Sequence, residues 1–390
     1  MTRPALPDPR FARFNQTAAG IDFAYLAGGQ GPPVLLLHGW PLTSWSWHKI
    51  LAPLADAGFT VIAPDLPGLG ESGPAPEGYE KRTLVEPLRA LLRALGHNRI
   101  NLVGHDMGAP IAYAWARLYP HEVERLAILD VPLNGFRLDA FAKRLHLWHF
   151  DFFAVPHLPE ALIAGRERAL IEHFYPAYAP GAITAADIDE YARTYSNPDV
   201  TAAGLAYYRA MGADEAWRRG EAHTQKLAMP VLVLSGEYAG NYSPYESMAQ
   251  LATDVRAAII AGCGHYLAAE KPAETAAHLI KFLEEAWRAA VLIPGTRRSG
   301  NASFGGGAPG GRRGSGRVAG RERRFGASHV LPRKTARRST GSRFAGSLCR
   351  RRLYPVAVGI VAAEPIPTQT YDGLELSFGS ADGATTPGVR

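Results

Sequence analysis

The chain has 390 residues, with 42 Lys and Arg against 36 Asp and Glu, for a formal net charge of +6. Residues 291–390 hold 17 basic and 5 acidic side chains, a net of +12, which leaves residues 1–290 at −6. The basic balance therefore belongs to the C-terminal stretch, and charge gives no ground for reading the rest as a nucleic-acid binder.

The N-terminus, MTRPALPDPRFARFNQ, carries no apolar core of signal-peptide length, and no later apolar run approaches a membrane span. A soluble cytoplasmic protein is expected. Short apolar runs then alternate with longer amphipathic ones, the pattern of a parallel sheet covered by helices. Val34–Leu37 reads as a buried strand leading into His38-Gly39-Trp40-Pro41. Thr60–Ala63 is a second strand, and Ile100–Val103 a third, followed at once by Gly104-His105-Asp106-Met107-Gly108 and an Ala-rich helix, Ala109–Tyr119. Leu126–Leu129 ends on Asp130; Val231–Leu234 and Ala257–Ile260 follow, the latter running into Gly262-Cys263-Gly264-His265. A helix at about Ala273–Ala289 closes the unit. The expected core is thus residues 15–132 and 223–290.

Residues 133–222 break this rhythm. They contain no convincing strand and are dense in aromatics, so they read as a helical cap over the sheet edge, suited to excluding water and shaping an apolar pocket. From 291 to 390 the chain is basic and of low complexity, and Gly305–Arg317 is too rich in Gly and Arg to offset its ordering entropy by apolar burial. A disordered tail is expected there, with Arg/Gly-type nucleic-acid binding as the functional alternative. Cys263 and Cys349 are the only cysteines and imply no disulfide framework.

The chemistry concentrates at Gly104–Gly108, which has the Gly-x-nucleophile-x-Gly form of a sharp strand-to-helix turn. The nucleophile position holds Asp106 rather than serine. A carboxylate displaces at an sp³ carbon and gives an alkyl ester, so epoxides and alkyl halides are the expected substrates. Clearing that ester requires a general base with an orienting acid, and N–H donors facing the oxyanion. His265 is the expected base. Asp130 is favoured as its acid partner because it closes its strand directly, with Glu237 as the rival. The backbone N–H groups of Trp40 and Met107 are the expected oxyanion donors. Trp148 and Phe150 are expected as pocket walls. No metal-ligand spacing appears and no cofactor is implied.

Over roughly Gly20–Ala290 the chain resembles the epoxide hydrolase branch of the α/β-hydrolases. The resemblance extends to the subgroup of the cystic fibrosis transmembrane conductance regulator inhibitory factor. It runs through Gly28–Pro32, Val61–Gly70 and Gly262–His265, and through the cap in Trp148–Ala154, Leu162–Arg168 and Tyr207–Ala210. It implies Asp106 as nucleophile, His265 as base and Asp130 as relay acid. It also implies an epoxide-activating pair at His149 and Tyr208. The chain departs from the subgroup in carrying Asp rather than Glu at position 130, and in lacking its secretion signal.

The implied partners are a small epoxide and water, with the oligomeric state open, a homodimer included. The competing enzyme is a dehalogenase. Haloalkane dehalogenases place an indole donor directly after the nucleophile, where Met107 stands, and fluoroacetate dehalogenases place arginines where Met107 and Pro110 stand and a Trp where Phe150 stands. A non-catalytic small-molecule binding module is the alternative of another class.

Overall fold

The computed structural model describes residues 3–133, 147–178, 181–220, 225–240 and 243–291. Among them, eight strands form one sheet: β1 Ala12–Ala18, β2 Ile21–Gly29, β3 Pro33–Leu37, β4 Thr60–Pro64, β5 Ile100–His105, β6 Val123–Leu129, β7 Val231–Gly236 and β8 Val255–Ile260. Their spatial order is β1-β2-β4-β3-β5-β6-β7-β8. β1 pairs antiparallel with β2, and β2 with β4; every pair from β4 onward is parallel. The six strands expected from their apolar runs are all present.

Among the helices, α1 His48–Asp56 lies between β3 and β4, α2 Val85–Ala94 between β4 and β5, and α3 Gly108–Leu118 between β5 and β6. Between β6 and β7 come α4 His149–Ala154, α5 Leu158–Ile163, α6 Glu167–Tyr178, α7 Ala185–Tyr195, α8 Pro198–Arg209 and α9 Met211–Arg219. α10 Ser243–Leu251, α11 Leu267–Glu270 and α12 Pro272–Val291 follow. No strand interrupts the described part of the segment between β6 and β7. Its residues 134–146 lie outside the described residues, as does the predicted tail from 292 onward.

Alternation along the strands divides the core into two layers. Leu35 and Leu37 join the α2 and α3 side together with Phe153, Phe174 and Tyr208 of the inserted helices. Val34 and Leu36 face α1 and α12, against Leu54, Leu279 and Leu283. Both faces are covered, which is why these strands read as unbroken apolar runs. Each such side chain contributes about 1.5–3 kcal/mol by burial.

The β1–β2 hairpin was not foreseen. Its turn, Ala19-Gly20, has φ of 48° and 76°, the doubly left-handed geometry of a type I′ connection. Ala-Gly is a weaker signal for it than Asn-Gly, and β1 is a largely exposed edge strand with polar Asn15 and Gln16. Among the described residues, no helix is long and apolar enough to cross a membrane.

Candidate active site

All the candidate catalytic residues of the core stand just past the C-terminal ends of parallel strands, the edge where open α/β sheets bind ligands. Asp106 follows β5 with φ of 50°, and Asp130 follows β6 with φ of 57°. A left-handed aspartate costs of the order of 1–3 kcal/mol, offset here by the packed sheet on either side. At Asp106 the twist lifts the side chain clear of the sheet while α3 begins two residues later. The turn after β3 lies directly on it: a Cβ on Gly39 would fall 2.2 Å from the Asp106 Cβ.

That turn is fixed by His38, which is fully buried. Its Nδ1–H donates to the Gly39 carbonyl at 2.8 Å, and its Nε2 accepts the Leu66 N–H at 2.9 Å. The result is that Trp40 N–H donates to Asp106 Oδ1 at 2.7 Å. The second oxygen, Oδ2, lies 3.4 Å from His265 Nε2. Met107 is the buried residue immediately before α3, where the first amides of a helix have no partner within it.

On its other side, His265 Nδ1 donates to Asp130 Oδ2 at 2.7 Å. Asp130 is wholly buried, and its Oδ1 accepts N–H bonds from Gly236 at 2.7 Å and Gly240 at 2.9 Å. Glu237 points elsewhere, accepting from Gly262 N–H at 2.8 Å. His105, the residue before the candidate nucleophile, donates its Nε2–H to the His265 carbonyl at 2.8 Å.

Asp106 and His265 open into a cavity with Trp40, His149, Phe150 and Tyr208 on its walls. The His149 and Tyr208 rings meet edge to face, 5.6 Å between centroids. Trp40 packs between them and the sheet, stacked on His149 and edge-on to Tyr208. α8, started by Asn197 capping the Asp199 N–H with Pro198 in its first turn, brings Tyr208 here. Its Gly204, four residues before Tyr208, makes the approach possible, since a Cβ there would sit 2.7 Å from Trp40 Nε1. Neighbouring Tyr207 turns away and donates its hydroxyl to the Pro67 carbonyl at 3.0 Å.

Trp148 requires a correction. It is not part of this wall: 47% of it is exposed, and its ring stacks on Phe174. Successive helical side chains diverge by about 100°, so Trp148, His149 and Phe150 cannot all face one cavity.

The electrostatics follow from burial against proximity. Burial pushes the Asp106 carboxyl up, but the hydrogen bond and charge of His265, with help from Trp40 N–H, hold it well below the usual carboxylate range. Burial pushes His265 down, and the bonds and charges of Asp106 and Asp130 overcome it, to about 10. Burial takes His149 to about 4 and His105 to about 3. Unfolded imidazoles titrate near about 6.5. His105 and His149, depressed on folding, therefore contribute stability that is whole above about 6.5 and lost as pH falls toward their folded values. His265, raised on folding, contributes stability that is whole below about 6.5 and lost as pH climbs toward 10. Urea unfolding across this range should show both limbs, and His149→Phe should flatten the acid one. An unchanged acid slope in that variant would mean that His149 is not held neutral.

Residues 32–272, more than half of the chain, match the family described as the alpha/beta hydrolase fold, and the chain belongs to that family. Among curated relatives, the soluble epoxide hydrolase of Corynebacterium sp. (strain C12) is 33% identical over 262 residues, covering 65% of this chain and 90% of that protein. The fluoroacetate dehalogenase of Burkholderia sp. is 32% identical over 281 residues, covering 67% and 90%. The crystal structure of wild-type Cfl2 from Burkholderia cenocepacia has a TM-score of 0.66 at 36% identity, covering 72% of this chain and 99% of that one.

Proposed function

We propose that this hydrolase opens an epoxide to a vicinal diol through an ester on Asp106, and that α4–α9 act as the cap that supplies the activating pair. The observation that carries the reading is the two-sided cavity. A carboxylate with one oxygen held by Trp40 N–H and the other beside His265 faces His149 and Tyr208 across the same space. The His/Tyr pair is also the reason to place the chain with the inhibitory-factor subgroup.

The steps balance without a cofactor. Asp106 Oδ2 attacks an epoxide carbon, the carbon–oxygen bond of the ring breaks, and the leaving oxygen takes hydrogen bonds from Tyr208 and neutral His149. Esterification removes the negative charge of Asp106, one of the two that keep His265 protonated. Its proton passes to the alkoxide, leaving His265 neutral and able to act as a base. His265 then takes a proton from water, hydroxide adds to the ester carbonyl, and negative charge collects on Oδ1, the oxygen already held by Trp40 N–H, with the Met107 N–H assigned as its second donor. Collapse breaks the bond from the Asp106 carbonyl carbon to Oδ2, the departing oxygen takes its proton from the His265 imidazolium to release the diol, and the new Asp106 carboxylic acid returns a proton to His265, restoring the resting ion pair. Asp130 holds the imidazole in the tautomer this requires.

The dehalogenase reading has the 32% relative in its favour. Against it, the described wall of the cavity carries no Arg or Lys to clamp a haloacid carboxylate. Purified protein offered terminal and disubstituted epoxides, haloalkanes and fluoroacetate should form diols and release no halide. Halide release without diol would overturn the assignment, and inertness toward all of them would favour a binding module.

A further inference from the structure

We propose that the Glu270 carboxylate is a positioning residue for His265, clamping the backbone on both sides of it; this rests on the reading of His265 as the base. One carboxylate oxygen accepts the Gly264 N–H at 2.6 Å and the other accepts the Tyr266 N–H at 2.7 Å. The carbonyl between them, that of His265 itself, accepts from His105 Nε2–H at 2.8 Å. Three successive residues around the imidazole are therefore tied down, two of them by one side chain.

The need for such a clamp lies in the sequence that delivers His265. The loop after β8 is Gly262-Cys263-Gly264, with Gly262 at φ of 60°, and glycines on this approach leave the backbone free to swing. The side chain has two tasks with little tolerance: Nδ1 must meet Asp130 at 2.7 Å while Nε2 stands 3.4 Å from Asp106 Oδ2. Glu270 imposes the orientation from a fixed point. It ends α11, whose Leu267 carbonyl accepts from Thr275 Oγ1 at 2.9 Å and whose Ala269 carbonyl accepts from Lys49 Nζ at 3.2 Å. A glutamate reaching back to an amide at the start of its own helix is an ordinary capping arrangement. Here it uses both oxygens and straddles the catalytic imidazole, and charge-assisted bonds of this length are the stronger kind.

The test separates positioning from simple support of the fold. Glu270→Ala and Glu270→Gln would be compared with wild type in single turnovers that resolve ester formation from ester hydrolysis. Misplacing a reacting group by about 1 Å can cost about 10²-fold. Glu270→Ala should slow hydrolysis by about that factor, leave ester formation within a few-fold and accumulate the ester; Glu270→Gln, keeping one acceptor, should lose less. Proton NMR supplies a readout that needs no substrate. The Nδ1–H of His265, shifted downfield by its bond to Asp130, should move upfield and broaden in Glu270→Ala. Wild-type hydrolysis with that proton in place would overturn the proposal. So would equal slowing of both phases with a lowered melting temperature, the mark of a structural role alone. If Glu270→Ala does not fold, Glu270→Gln carries the same comparison. Should wild type turn over no epoxide, the functional reading fails, and the NMR comparison still decides whether the clamp exists.

Discussion

A His265→Gln enzyme incubated with an epoxide should stall with the whole epoxide attached to the peptide that carries Asp106. Nucleophilic attack needs the Asp106 carboxylate and the donors at the leaving oxygen, and solvent can supply the proton that His265 otherwise gives the alkoxide, whereas hydrolysis needs a base, and glutamine cannot take a proton from water. Intact-mass and peptide analysis should find the added mass equal to the full epoxide, because ring opening expels no atom. Removing a donor at the developing alkoxide typically costs of the order of 10²-fold, so Tyr208→Phe should slow ester formation by about that much. The loss would be smaller where His149 still holds the oxygen. An adduct formed only from a haloalkane, with halide released, would instead assign the chain to carbon–halogen cleavage. No adduct from either class would remove the nucleophile role from Asp106.

Replacing Asp130 should be nearly as damaging, by a different route. Its two oxygens accept three N–H bonds, from His265, Gly236 and Gly240. Asparagine has one acceptor oxygen, and its NH2 group cannot replace the other. If the oxygen stays with the glycine amides, the NH2 faces His265 Nδ1 and forces the imidazole proton onto Nε2, the nitrogen that must accept from water. An equivalent change in a related triad lowers kcat by about 10⁴-fold, and Asp130→Asn should lose about 10³- to 10⁴-fold in ester hydrolysis. Glu237→Gln should leave turnover close to wild type, since Glu237 is exposed and bonds Gly262. Steady-state kcat on one epoxide checks both. The opposite ranking would transfer the relay role to Glu237.

The fold was legible where the physical cause is local. Strands covered on both faces must be apolar along their whole length, so Val34–Leu37, Leu126–Leu129 and Val231–Leu234 identify themselves in any context. The turn at Asp106 is equally readable, because a glycine stands two residues to either side of the aspartate. The β1–β2 hairpin was missed for the converse reason: an exposed edge strand is permitted polar residues, and its periodicity fades.

What the sequence determined by itself is the sheet, the turn and the residue types offered at the candidate site, since each is written in neighbouring residues. Only the tertiary structure decided which of several equivalent residues meet. Tyr207 and Tyr208 differ by a 100° turn of one helix, and only the packing of α8 on Trp40 at Gly204 sends Tyr208 to the cavity and Tyr207 to Pro67. The same helical phase brings Phe150 to the wall and leaves Trp148 outside. Asp130 and Glu237 both follow strand ends, and the left-handed backbone at Asp130 places its carboxylate against His265. His38, His105 and Glu270 left no signal because their partners are backbone groups. A peptide N–H or C=O is the same in every residue, so no side-chain pattern announces which one a distant histidine or glutamate will hold.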